Sequence, residues 1–320
     1  MIIAKTRAEL KAAREKLPGP VVLVPTMGAL HEGHVALLRR ARELAGGQGS
    51  VAVSIFVNPL QFGPNEDLDA YPRTLDEDLG SCEAEGVDLV FAPSVREMYP
   101  QEQLVRVDPG PAGEILEGEF RPGFFTGVLT VVLKLFSLVR PDIAVFGQKD
   151  AQQLVLVRRM SADFGLGIEI EAVPTARAQD GLALSSRNKY LSAAERAVAP
   201  VLYRALAAGA AVLADPGAAG GPGAARGPRE ARGPRQARGP REVRAAARAV
   251  LDDAAVGLPP GAFVVDYLEV ADSTSYRVVR DEDFDFRGAA VLAIAARVGT
   301  TRLIDNVLVE FGTDANAADD

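Results

Sequence analysis

Apolar and polar positions follow one another in blocks. Val21-Val22-Leu23-Val24 is an unbroken, β-branched apolar run, the pattern of a strand buried on both faces of a parallel sheet. Behind it Val35, Leu37, Leu38 and Ala41 fall at helical spacing, so strand, turn and helix come in order. The same alternation continues, with strands predicted at Val51 to Val57, Val87 to Phe91, Ile143 to Phe146 and Ile168 to Val173. Helices are predicted after the capping-box pattern Thr6-x-x-Glu9, over Leu10 to Leu17, then from about Thr126 to Val139, and from Ala151 to about Phe164. Such alternation predicts an α/β fold, a Rossmann-like doubly wound parallel sheet in a first domain, 1–176. Beyond it the pattern changes. Ser192-x-x-Glu195 opens an alanine-rich helix to about Leu213, and another runs from Val243 to Ala255. Strands are expected at Val264 to Val270, Ala289 to Val298 and Thr301 to Val309, the last two joined at Gly299-Thr300. These make a smaller α+β C-terminal lid domain, 177–320.

Composition narrows this picture. A chain of 320 residues suits two domains, and its net charge of −8 argues against a general nucleic-acid binder. The balance conceals three copies of Ala-Arg-Gly-Pro-Arg, starting at Ala225, Ala231 and Ala237. Eight arginines and two glutamates between Arg226 and Arg248 give +6 there, against −14 for the rest. With frequent Gly and Pro and nothing apolar to bury, 215–242 reads as a disordered insertion, and Asp314 to Asp320 as a frayed acidic tail. Cys82 is the single cysteine, which fits a reducing compartment; no apolar run reaches the length of a membrane span, and no signal-peptide core opens the chain. A cytoplasmic protein without a membrane association is expected.

Both histidines lie in Pro25-Thr26-Met27-Gly28-Ala29-Leu30-His31-Glu32-Gly33-His34. Glycines between a strand and a helix let the backbone approach a ligand, and the new helix aims free N–H groups at the same place. His31 and His34 stand one helical turn apart, able to donate to the same phosphoryl oxygens or, alternatively, to hold a metal, although zinc would need further ligands that the chain lacks. The second strand delivers Asn58 and Gln61 to the same edge of the sheet, where open α/β sheets place ligands. The fourth delivers Gly147-Gln148-Lys149-Asp150, with Lys149 suited to a phosphate and Asp150 to ribose hydroxyls. Ser185-Ser186-Arg187 could take phosphate oxygens from the opposite direction. The acidic stretch Asn65 to Asp78 is explained by a loop and a helix start.

With these motifs and Phe56-Val57-Asn58-Pro59 in place, the chain resembles the pantoate–β-alanine ligase (pantothenate synthetase) family, to about residue 205 and again from 243 to 311. The resemblance implies the nucleotidylyl-transferase fold and a two-step reaction. Pantoate and ATP give pantoyl adenylate and pyrophosphate, and β-alanine then displaces AMP to leave pantothenate. His31, His34, Lys149, Ser185, Ser186 and Arg187 would stabilise the transferring phosphoryl group, with Mg²⁺ neutralising the pyrophosphate and no protein ligand assigned to it. ATP would be held by Pro25, Thr26, Met27, Gly147, Lys149, Asp150, Thr175, Ala176, Leu184 and Ser185 to Arg187. Pantoate and β-alanine would meet Met27, Asn58, Gln61 and Gln153, and Tyr71, Glu117 and Arg121 would lie in covering loops. A homodimer is implied as well. The chain departs from the family pattern at Gln148, Phe124 and Leu184, where Glu, His and Met are usual. A transferase acting on a phosphorylated acceptor would want basic residues near Asn58 and Gln61, and that stretch has none. A non-enzymatic nucleotide sensor working through the arginine repeat is the other alternative, and the retained phosphate-binding residues count against it.

Overall fold

The computed structural model describes residues 1–64, 66, 68–214, 239–283 and 285–312. They divide into two compact units, the described residues of 1–178 with 183–189, and those of 179–182 with the described residues from 190 onward. The segment carrying Ser185 to Arg187 therefore belongs with the first unit, beyond the boundary expected at 176.

In chain order the first unit comprises β1 (Ile2–Ala4), α1 (Arg7–Arg14), β2 (Val21–Thr26), α2 (Glu32–Ala45), β3 (Ser50–Ile55), α3 (Leu75–Ala84), β4 (Leu89–Phe91), α4 (Val95–Met98), α5 (Glu117–Phe120), α6 (Phe124–Val139), β5 (Ile143–Gly147), α7 (Ala151–Asp163) and β6 (Glu169–Val173). Its six strands pair in parallel in the order β1-β4-β3-β2-β5-β6. Both faces are covered, which is why β2 is apolar at every position from Val21 to Val24. Val21 and Leu23 enter a core with Leu10, Leu129, Phe136 and Leu154, while Val22 and Val24 enter another with Leu38, Val53 and Cys82. From β2 the chain steps one way to β3 and β4 and later returns to place β5 and β6 on the other side. The carboxyl ends of β2 and β5 are thus a topological switch point, where such sheets open a crevice.

The predicted strands and helices of this unit are present with shifted ends. The first helix runs from Arg7, directly after its N-cap Thr6, with Glu9 in its first turn completing the capping box, and stops at Arg14. β1 was not anticipated: three residues at a sheet edge, with Ile2 and Ile3 exposed, carry too little periodic signal.

The second unit holds α8 (Ala193–Val198), α9 (Val201–Ala211), α10 (Pro240–Ala255), β7 (Phe263–Asp272), β8 (Gly288–Val298) and β9 (Thr301–Phe311). The strands form one antiparallel sheet in sequence order, with Val298 facing Thr301 across Gly299-Thr300. The single helix expected from Ser192 to Leu213 is two, because Pro200 breaks it and serves as the cap of α9. Positions 240–242, expected in the insertion, form the first turn of α10: Pro240 opens the helix after Gly239, whose N–H donates to Glu242. The rest of that insertion, 215–238, and the tail from Asp314 lie outside the described residues. No helix among the described residues is long and apolar enough to cross a membrane.

Candidate active site

Every residue proposed for the site falls in the first unit. The turn after β2 is held from both ends. Thr26 Oγ1 donates to the carbonyl of Ser54 at 2.8 Å and accepts the N–H of Gly28 at 3.2 Å. Gly28 and Ala29 then both take positive φ, +83° and +52°. Only glycine adopts the first without strain, and a Cβ there would lie 2.8 Å from Asp78 Oδ2. That carboxylate, buried on α3, accepts the N–H groups of Ala29 at 3.0 Å and Leu30 at 2.8 Å, and the Thr74 hydroxyl at 3.3 Å. Asp78 therefore fixes the approach to the histidines. In the sequence Asp78 belongs to an acidic stretch explained by a loop and a helix start, and its burial and its partners 48 and 49 residues away distinguish it from its exposed neighbours.

The histidines cap the helix they begin. His31 is the N-cap of α2 and its Nδ1 accepts the N–H of Gly33 at 3.1 Å; His34 Nδ1 accepts the N–H of His31 at 3.3 Å. A reciprocal capping box normally uses Ser or Thr with Glu. Gly33 is required by the same geometry, since a Cβ on it would sit 2.8 Å from His31 Cε1. The ring centroids are 4.2 Å apart. With Nδ1 of each ring accepting, the proton of each neutral imidazole sits on Nε2, and each ring keeps one donor for a ligand. The surroundings hold the rings neutral. Burial lowers His31 below the usual range, with Lys149 and then Lys189 pushing the same way. Burial, followed by His31, pushes His34 down to about 3. Lys189 was not among the expected residues; it lies two positions after Arg187, and its charge is felt at His31.

At the end of β5, Lys149 lies largely buried, with Nζ 3.8 Å from Oδ1 of the half-exposed Asp150. A Cβ on Gly147 would meet Leu37 Cδ2 at 4.0 Å, an ordinary contact. Beyond β6, the N–H of Leu184 donates to the carbonyl of Ala176 at 2.9 Å, and Arg177 pairs with Ala183. This folds the 184–187 segment back, leaving Leu184 Cβ 3.8 Å from the position of a Gly33 Cβ. Ser185 Oγ accepts the N–H of Arg187 at 3.3 Å. Thr175 Oγ1 is buried and has no hydrogen-bond partner among the described residues.

After β3 the amides of Asn58 and Gln61 are both buried and bonded to each other at 3.2 Å, and Gln61 Nε2 donates to Met27 Sδ at 3.0 Å. Arg121 pairs with Glu66 and donates to the carbonyl of Gln61 at 3.3 Å. Its guanidinium lies 3.6 Å from the centroid of Phe124, so the aromatic ring at this unusual position supports the arginine through its face. Tyr71 is buried, edge-on to Phe62. Glu117 is buried at the start of α5, where its N–H meets Gln152 Oε1 at 3.2 Å. Gln152 also donates to the carbonyls of Ala112 and Ile115, clamping this loop, while the neighbouring Gln153 is only half-buried. Gln152 was not anticipated, because adjacent glutamines on a helix are distinguished only by which face is buried.

Among the described residues no three or more His, Cys, Asp and Glu side chains gather as a metal site. The arrangement has the chemistry to receive an anion: two neutral imidazole donors, a helix N-terminus and cations at the switch point of a parallel sheet.

Comparison with known proteins points the same way. Residues 2–308 match the model of the family described as pantoate-beta-alanine ligase. A pantothenate synthetase of Thermobifida fusca is 56% identical over 312 residues, covering 96% of this chain and 95% of its own length. One from Acidothermus cellulolyticus is 55% identical, with 96% and 91% covered. The crystal structure of pantothenate synthetase from Thermus thermophilus superposes with a TM-score of 0.80 at 43% identity, covering 96% of this chain and 99% of that one. That of the Francisella tularensis pantoate-beta-alanine ligase, complexed with beta-gamma ATP and beta-alanine, has a TM-score of 0.70 at 31% identity, covering 98% and 100%.

Proposed function

The chain belongs to the pantoate–β-alanine ligase family, and from that premise we propose that it joins pantoate to β-alanine with ATP at the switch point of its first unit, through a pantoyl adenylate. The observation that carries this reading is the histidine capping box. It holds two neutral rings beside Lys149, with both Nε2–H groups unspent, and such donors suit the charge that builds on an α-phosphoryl group during in-line attack.

In this reading the pantoate carboxylate attacks the α-phosphorus and pyrophosphate leaves. His31 and His34 donate to the oxygens of the transferring group, and Lys149 with Ser185, Ser186 and Arg187 balances its charge. Gly147 and Asp150 face the ribose, with Pro25, Thr26, Thr175, Ala176 and Leu184 around the nucleotide. Thr175 supplies a buried hydroxyl that has no partner among the described residues. Met27, Gln61 and Gln153 border pantoate and β-alanine, with Asn58 behind Gln61. Tyr71, Glu117 and Arg121 anchor the loops that keep water from the mixed anhydride.

Mg²⁺ fits this site as an ion carried in on ATP. The described residues offer no cage for it, and Mg²⁺ bound to nucleotides characteristically takes phosphate oxygens and water. When bound it would screen the phosphate charge. The reading also includes a homodimer in the cytoplasm, with no nucleic acid as partner.

The test is product release. ATP with pantoate alone should release pyrophosphate in an amount close to that of the enzyme, and AMP should appear only when β-alanine is added. Release of AMP and pyrophosphate together only in the presence of all three substrates would contradict the adenylate.

A further inference from the structure

We propose that Tyr99, which no contact with substrate requires, is a positioning residue for pantoate: acting through the buried amide of Asn58, it holds Gln61 with its Nε2–H₂ group, and not its carbonyl, facing Met27. This rests on the reading of Gln61 as a pantoate contact.

Asn58 is 1% exposed, and both ends of its amide are fully used. Its Oδ1 accepts the Tyr99 hydroxyl at 2.8 Å and the N–H of Leu60 at 3.3 Å. Its Nδ2 donates to the carbonyl of Gly127 at 3.1 Å and to Gln61 Oε1 at 3.2 Å. A carbonyl can only accept and a backbone N–H can only donate, so these partners allow one orientation of the amide. No capacity remains on Asn58 for a ligand. Its influence on a substrate passes through Gln61, whose Oε1 it occupies. The Nε2 of Gln61 is left with Met27 Sδ at 3.0 Å, and a thioether is a weak acceptor that a substrate carboxylate or hydroxyl oxygen displaces readily.

Tyr99 makes the shortest of the four bonds on Asn58 and is built to remain a donor. Burial pushes its phenol up to about 12, so the proton stays in place. The ring is fixed by Phe56, 6.1 Å away, and by Lys134 Nζ, 4.6 Å from its centroid, itself bonded to Gln103. Gly127 completes the frame: a Cβ there would lie 2.1 Å from the carbonyl oxygen of Leu60, so only glycine lets α6 approach the 59–61 turn closely enough to receive Asn58.

The experiment compares Tyr99→Phe, Gln61→Ala and the double variant in the full-length protein, reading KM for pantoate and for ATP, kcat, and the melting midpoint. Tyr99→Phe keeps the ring and removes one buried neutral hydrogen bond, so the pantoate KM should rise about fivefold. The ATP KM should not move, and the melting midpoint should change little. In the Gln61→Ala background Tyr99→Phe should add nothing, because the two lie on one path. Equal changes in both KM values, or effects that multiply, would overturn the relay. A raised pantoate KM in Gln61→Ala with none in Tyr99→Phe would sink the relay alone. An unchanged pantoate KM in Gln61→Ala would remove the assignment of Gln61, and the relay with it.

Discussion

The turns after β2 and β3 leave neighbouring parallel strands, with Thr26 opposite Ile55, and each presents two adjacent polar side chains. In the first, both histidines spend one nitrogen on the backbone and keep the other. In the second, Asn58 spends everything and Gln61 keeps one end. The difference teaches how a fold divides labour: atoms that bond to the backbone fix the direction of the atoms left over. At the histidine turn the two tasks share one ring, so substitution removes both position and chemistry. At the amide turn they fall on separate residues, so they can be removed one at a time.

That contrast orders the expected effects. His31→Ala or His34→Ala should lower the rate of pantoate-dependent pyrophosphate release by about 10²–10³, the scale for one lost transition-state donor; single-turnover quench measurements would show it, and an unchanged rate would end the assigned role. Gly127→Ala should act on the amide turn alone, costing about 1–3 kcal/mol of stability by overpacking and raising the pantoate KM; denaturant melts with steady-state kinetics check both. Asp78→Asn keeps the shape but replaces one acceptor with an N–H₂ donor facing the N–H groups of the 29–30 turn. About a tenfold loss in kcat with little change in pantoate KM is expected, the size of one buried unsatisfied donor. Equal loss in a substrate-binding parameter would place Asp78 elsewhere.

The smallest effect is in stability against pH. Both histidines titrate lower in the fold than their usual 6.5. Above about 6.5 neither state takes up the proton, so their contribution is complete. As pH falls from there toward about 3, the unfolded chain binds protons that the fold refuses, and stability declines. Melting midpoints between pH 7 and 4 should fall less in His34→Ala than in the parent.

Much of this was legible in the residues. Val21 to Val24 and Ile143 to Phe146 announce buried parallel strands because apolarity on both faces leaves no other economical home, and the turns after them carry the histidines and Lys149 to one edge. What was not legible depends on partners distant in sequence. Asp78 looks like Asp76 or Glu77 until α3 places it under the 28–30 turn. Tyr99 sits 41 residues from Asn58. Gln152 and Gln153 differ only in the side of α7 on which they lie. Helix ends shifted for local reasons, as at Pro200, which separates α8 from α9, and at Pro240, which opens α10. The Ser185-Ser186-Arg187 segment had no strand or helix signal, and hydrogen bonding to Ala176 and Ala183 decides its place.

The central claim, that burial keeps each ring neutral and backbone capping puts its proton on Nε2, is open to direct observation, since the chain holds two histidines and no others. Nitrogen-15 shifts of the imidazoles, recorded from pH 8 to 5 in the ligand-free protein, should show both rings as the Nε2–H tautomer. The His34 signal should stay unmoved over the whole range. A proton on Nδ1, or a His34 titration centred near 6.5, would contradict it.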